Sequence, residues 1–126
     1  MILRKLTLLA LLAWPLSLCA QQAANAQPYE GQWASSAKAC RDPDGISRME
    51  IGGGGRRFFW YETRCTATEI KPEGANAWRI KMSCEGEGEK FSAAPLLTLT
   101  PPNRLVFTGK NPVGQGKHDV YVRCRD

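Results

Sequence analysis

The chain has 126 residues, with 17 lysines and arginines against 12 aspartates and glutamates, five cysteines and one histidine. This length bounds it to a single domain, and a formal net charge of +5 is a mild excess that favours solubility and implies no particular partner. With His118 as the only imidazole and no G-x-S-x-G around any serine, the composition argues against a hydrolytic triad.

The chain begins MILRKLTLLALLAWPLSLCAQQAANAQ, with Arg4 and Lys5 ahead of an apolar run from Leu6 to Leu18 and small or polar residues after it. That is the three-part build of a secretory signal peptide. The run is shorter than the ~20 apolar residues of a membrane span, so no stable membrane insertion is expected. Ala24-Asn25-Ala26 supplies the A-x-A cleavage site, with a cut after Ala20 as second choice, and Leu18 is too large for lipoprotein processing at Cys19. Removal of residues 1–26 leaves one domain, 27–126, and takes away Arg4 and Lys5, so 15 basic residues face 12 acidic ones and the net charge falls to +3. The expected location is the periplasm or the medium, where nucleic acid is not an expected partner.

Cys40, Cys65, Cys84 and Cys124 remain after that cut. In a small exported domain four cysteines read as two disulfides. Three pairings are open, and the preferred one joins Cys40 to Cys65 and Cys84 to Cys124. A Cys₄ zinc site is disfavoured by the oxidising compartment and by the lack of any C-x-x-C pair, and neither metal nor cofactor is expected.

Along the mature chain glycine and proline recur every eight to twelve residues, with short alternating stretches between them, the pattern of an all-β sandwich or barrel. The first strands fall near 29–34 and 46–51. GGGGRRFFWYETRC, residues 52–65, lacks the Lys-Ser or Lys-Thr of a phosphate loop and the helix that must follow it. Its glycines read as a turn, because glycine takes positive φ without steric cost. Arginines interleaved with aromatics suit single-strand binders, a reading the compartment disfavours. On a continuous strand Phe58, Trp60, Glu62 and Arg64 point one way, and Phe59, Tyr61, Thr63 and Cys65 the other. Two accounts follow: one aromatic pair lies in the core and the other is covered by the N-terminal segment or a loop, or one pair, with its neighbouring arginines and Glu62, forms a partly exposed partner-binding patch, for which Phe58 and Trp60 with Glu62 and Arg64 are the candidates.

Further on, KPEGAN (71–76) is a turn, which pairs the segment ending at Ile70 with WRIKMSC (78–84). Centred on Gly74, that hairpin sets Ile70 against Trp78 and Thr68 against Ile80, with Trp78, Ile80, Met82 and Cys84 on the core face. In CEGEGE, Glu85, Glu87 and Glu89 align on one face if extended, where they suit a basic partner or a cation held by oxygen ligands; the alternative is a solvated turn. LLTLTPPNRLVFTG is a second hairpin, with Leu97, Leu99, Leu105 and Phe107 on one face. The last strand, KHDVYVRC, places Val120, Val122 and Cys124 on one face and Asp119, Tyr121 and Arg123 on the other, and His118 reads as structural. Seven or eight strands result, with no repeats and no dividing linker.

Gly31-Gln32-Trp33 at the first strand and Arg123 in the last resemble the G-x-W and late arginine of calycin and lipocalin-like barrels. There the two residues pack together across the closed end, so the resemblance implies a small antiparallel barrel closed by Trp33 and Arg123. The wider layout, with Trp33, Cys40, Glu62 and Cys65, Cys84 with Gly86, Glu87 and Gly88, and a terminal Tyr121 to Cys124, is similar to that of small exported proteins of alphaproteobacteria. In plan the chain is also similar to periplasmic protease and lysozyme inhibitors, which are small disulfide-containing barrels. The functional expectation is an exported, non-enzymatic module that binds another protein, an envelope hydrolase among the candidates, through the Phe58 and Trp60 surface or the Glu85–Glu89 run. Alternatives are a carrier of a small apolar ligand inside the barrel, and a carboxylate hydrolase using Glu62.

Overall fold

The computed structural model describes residues 26–109, 112–113 and 118–125; the segment read as an export signal lies outside them except for Ala26. Nine strands form: β1 (Gly31–Ala34), β2 (Arg48–Gly52), β3 (Arg57–Trp60), β4 (Thr63–Pro72), β5 (Ala77–Gly86), β6 (Glu89–Ala93), β7 (Leu96–Thr100), β8 (Arg104–Thr108) and β9 (His118–Arg123). All neighbours are antiparallel, and β9 pairs back onto β1, so β1 to β5 with β7 to β9 close an eight-stranded barrel. The all-β barrel expected from the alternating pattern is what the chain adopts.

The ninth strand, β6, is additional. It follows the C-terminal half of β5, from Met82↔Ala93 to Gly86↔Glu89, while Ala77–Arg79 of β5 pair with β7. Between β6 and β7 lies buried Pro95, whose carbonyl accepts from Ile80 N at 3.1 Å. Proline has no N–H to return, and the ladder breaks there into two strands.

The interior is filled by the chain's own side chains. Trp33, Phe58, Phe107, Ile80, Leu97 and Leu105 are fully buried, and Trp60 packs partly buried against them. Aromatic rings run across the barrel from Tyr29 through Phe58 and Trp60 to Phe107 and Tyr121, with centroids 5.4–6.3 Å apart. Each such side chain contributes about 1.5–3 kcal/mol through removal from water.

The glycine run is a turn. Gly53, Gly54 and Gly55 all have φ between 63° and 77°, and Gly55 packs so tightly that a Cβ there would lie 2.5 Å from the Tyr29 hydroxyl. That hydroxyl donates to the Gly55 carbonyl, and burial together with the Glu30 carboxylate raises the Tyr29 pKa, keeping the donor proton in place.

Several expectations need correction. Residues 57–65 are not one strand: the chain reverses at Tyr61-Glu62, with Glu62 at φ 58°, and Phe58 comes to face Cys65. The 71–76 hairpin is centred one residue beyond Gly74, so Ile70 meets Ile80 and Pro72 meets Trp78. A bulge at Thr68 then switches parity, bringing Ala67 opposite Met82 and Cys65 opposite Cys84. In β9, where the alternation left the inward face open, it is the Tyr121 face that turns in: Tyr121 is buried against Leu105 and Phe107, and Val120 is exposed. The large ring, reached at its hydroxyl by Trp60 Nε1 at 3.4 Å, fills the interior that valine would leave underpacked. By contrast, Leu97↔Phe107 and Leu99↔Leu105 form as expected. His118 opens β9, and its side chain lies outside the described residues.

Both disulfides form with a different pairing from the preferred one: Cys40–Cys124 and Cys65–Cys84. Cys65 and Cys84 are direct cross-strand partners with Cα atoms 4.0 Å apart. Cys40 sits in the short 3₁₀ helix Ala39–Arg41 beyond β1, and β1–β9 pairing carries Cys124 to it. Two structural disulfides belong to a non-cytoplasmic, oxidising setting. No helix among the described residues is long and apolar enough to cross a membrane.

The acidic run folds into a second two-residue turn. Glu87 (φ 51°) and Gly88 (φ 79°) are both left-handed, the type I′ geometry that favours Asn-Gly. Glu87→Asn is therefore expected to stabilise the fold by about 0.5–1 kcal/mol, read as a higher urea midpoint with an unchanged slope; a lower midpoint would refute this account of the turn.

Candidate functional site

The β1–β9 seam brings together the two residues that the resemblance names. Trp33 and Arg123 are direct partners across β1 and β9, and the guanidinium carbon lies 4.3 Å from the Trp33 ring centroid. Arg123 Nη1 donates to Glu30 O at 2.7 Å, Nη2 to Pro28 O at 3.0 Å and Nε to Pro102 O at 3.1 Å. Trp33 Nε1 donates to Tyr29 O at 3.0 Å. Burial lowers the Arg123 pKa, but three carbonyls and an aromatic face provide a setting for the cation. Gly31 belongs to the same unit: a Cβ there would stand 2.8 Å from Arg123 Nη1. This constellation is structural, since its donors are engaged with backbone.

The four residues Phe58, Trp60, Glu62 and Arg64 do not form one patch. Phe58 is 0% exposed and Trp60 leans into the core, so neither aromatic makes the expected surface. Glu62 occupies the turn, and Arg64 alone of the four projects outward from a strand. Glu85, Glu87 and Glu89 are likewise separated. Glu85 is on the outer face of β5 opposite Arg64 and Lys90, Glu87 is in the turn, and Glu89, opposite Gly86, has the other parity. A shared carboxylate face is thereby lost, and no group of three potential ligands for a metal exists among the described residues.

The reversal at Tyr61-Glu62 brings forward a different surface. Phe59 is 40% and Tyr61 53% exposed. Cross-strand register sets Glu50, Phe59, Arg64, Glu85 and Lys90 side by side on β2 to β6. Beside that row runs a second, Arg57, Thr66, Ser83 and Ser92. A groove of about 450 Å³ lies among Arg57, Phe59, Arg64, Thr66, Ser83 and Lys90. A second, of about 320 Å³, is lined by Gln32, Arg48, Glu50, Phe59 and Tyr61. Phe59 forms a wall of both.

Sequence reasoning missed Phe59, Tyr61, Arg48, Arg57 and Lys90. The missing information was one turn: neither Tyr61 nor Glu62 is a residue type that marks a reversal, so FFWYETRC reads as uninterrupted strand. Comparisons with family models, curated proteins and solved structures give no match for this chain.

Proposed function

We propose that this chain is an exported, non-enzymatic module that binds a protein of the cell envelope through the outer face centred on Phe59. Export follows from the signal-peptide build of residues 1–26, with cleavage near Ala26 into the periplasm, and it accords with the two disulfides. The observation that carries the binding reading is an exposed aromatic, Phe59, standing between two open grooves with Arg48, Arg57 and Arg64 around it. Tyrosine, other aromatics and arginine are the residues that concentrate binding energy in protein interfaces. The aromatic-filled interior favours this surface over an internal site for a small apolar ligand. Similarity in plan to periplasmic protease and lysozyme inhibitors makes an envelope hydrolase the first partner to test.

A photo-crosslinking residue placed at Phe59 or Tyr61 in the exporting organism is expected to give discrete protein-sized adducts, while the same residue at exposed Glu73 or Thr100 gives none. Equal labelling at all four positions, or none at any, would overturn the proposal.

A further inference from the structure

We infer that the partner offers an acidic segment, its carboxylates meeting Arg64 and Lys90 while an apolar side chain of the same segment lies on Phe59. This rests on the outer face being a protein-binding surface.

The charges around the larger groove are unequal. Arg57, Arg64 and Lys90 contribute three positive groups and Glu85 one negative, an excess of two around this groove, and including Glu50 beside Phe59 leaves an excess of one. Along the same β4–β5 ribbon two of the three cations nearer the other end are neutralised in place, Arg79 by Glu73 at 3.6 Å and Lys81 by Glu69 at 3.2 Å, with Lys71 the third. Among the described residues, Arg57, Arg64 and Lys90 belong to no such ion pair. Register alone would let Glu85 neutralise one of its two neighbours, Arg64 or Lys90, but not both. The patch is therefore complementary to a partner bearing more negative charge than positive.

Shape narrows the partner further. From Phe59 to Lys90 the row crosses three interstrand spacings, about 14 Å. An extended chain covers that distance in about four residues, with alternate side chains on one side, so with an apolar residue on Phe59 an acid four positions later falls on Lys90, and one two positions later stands about 7 Å along, within reach of the long Arg64 side chain rooted about 5 Å along. Arginine suits the central contact because its planar, weakly hydrated guanidinium pairs with a carboxylate through two parallel hydrogen bonds. Thr66 and Ser83, in the adjoining row that also lines the groove, offer hydroxyls to the segment's backbone.

The test is an NMR titration of the isotope-labelled, exported protein with the blocked peptide Gly-Leu-Gly-Asp-Gly-Asp-Gly and with its counterpart carrying lysine for both aspartates. Expected are saturable shifts centred on Phe59, Arg64, Glu85 and Lys90 for the acidic peptide alone, weakening as salt is raised. Arg64→Glu should weaken binding tenfold or more and Lys81→Glu should leave it unchanged. Glu85→Gln should tighten binding two- to threefold, a gain that misfolding cannot mimic. Equal response to both peptides, shifts spread over every cationic residue, no response to the acidic peptide, or no gain in Glu85→Gln would overturn the inference. Adducts at positions 59 and 61 without peptide binding would leave the binding surface standing and remove the acidic segment alone; absent adducts would remove the surface itself.

Discussion

Replacing Arg123 with alanine is expected to lower the unfolding free energy by about 3 to 4 kcal/mol, a large share of the ~5–15 kcal/mol that holds a domain of this kind together. The guanidinium reaches three backbone carbonyls on separate parts of the chain: Pro28 and Glu30 ahead of β1, and Pro102 in the β7–β8 turn. Hydrogen bonds from a charged donor each add about 1.5–3 kcal/mol where buried, and the Pro28 and Pro102 bonds, being solvent-exposed, fall below that range. Stacking on Trp33 adds about 0.5–2 kcal/mol. Arg123→Lys keeps the charge but loses the planar fork, so its expected loss is about 2 kcal/mol. Urea unfolding followed by tryptophan fluorescence reads both. A loss below about 1 kcal/mol in Arg123→Ala would mean that water replaces these contacts and that closure rests on the β1–β9 ladder.

That closure was legible in the sequence by resemblance, the alternation of the last strand leaving its inward face open. In KHDVYVRC both parities carry apolar residues, so the pattern does not say which side faces in. Packing Arg123 on Trp33 settles the choice, and the structure has Tyr121 and Arg123 facing in. The 96–108 hairpin was readable because leucines alternate strictly with threonines and Pro101-Pro102-Asn103 permits little besides a turn.

Three local events hid the rest. The extra residue at Thr68 lets Cys65 and Ile70, an odd number of positions apart, share the core face, and no residue type announces a bulge. Left-handed Glu62 makes a turn where the sequence offers no glycine or asparagine, moving Phe58 inside and Phe59 out. Left-handed Glu87 breaks an apparent carboxylate row in the same way. The candidate surface was legible in its composition, arginines beside aromatics, but not in its membership, because membership depends on parity and parity depends on those turns.

Loss of the Cys40–Cys124 bridge, by changing both residues to alanine, is expected to destabilise the protein by about 4 to 5 kcal/mol and to lower its melting temperature by on the order of 20 °C. The bond closes a span of 84 residues, from the 3₁₀ helix beyond β1 to the residue after β9. In the chain-entropy account a bridge acts by restricting the unfolded state, more strongly the longer the loop. Cys65–Cys84 closes only 19 residues, for which the same account gives about 3 kcal/mol. Neither Cys40 nor Cys124 is in the buried core, so their truncation leaves little cavity and the loss measures the cross-link itself. Cys65 and Cys84 are 3% exposed within the core cluster, and their truncation adds a packing penalty to the loop term. The two bridges should differ in character: retaining side-chain volume with Cys65→Val and Cys84→Val recovers part of the second loss, and Cys40→Val with Cys124→Val recovers none of the first. If valine rescued the Cys40–Cys124 loss as well, packing around the 3₁₀ helix, rather than restriction of the unfolded chain, would be what that bridge supplies.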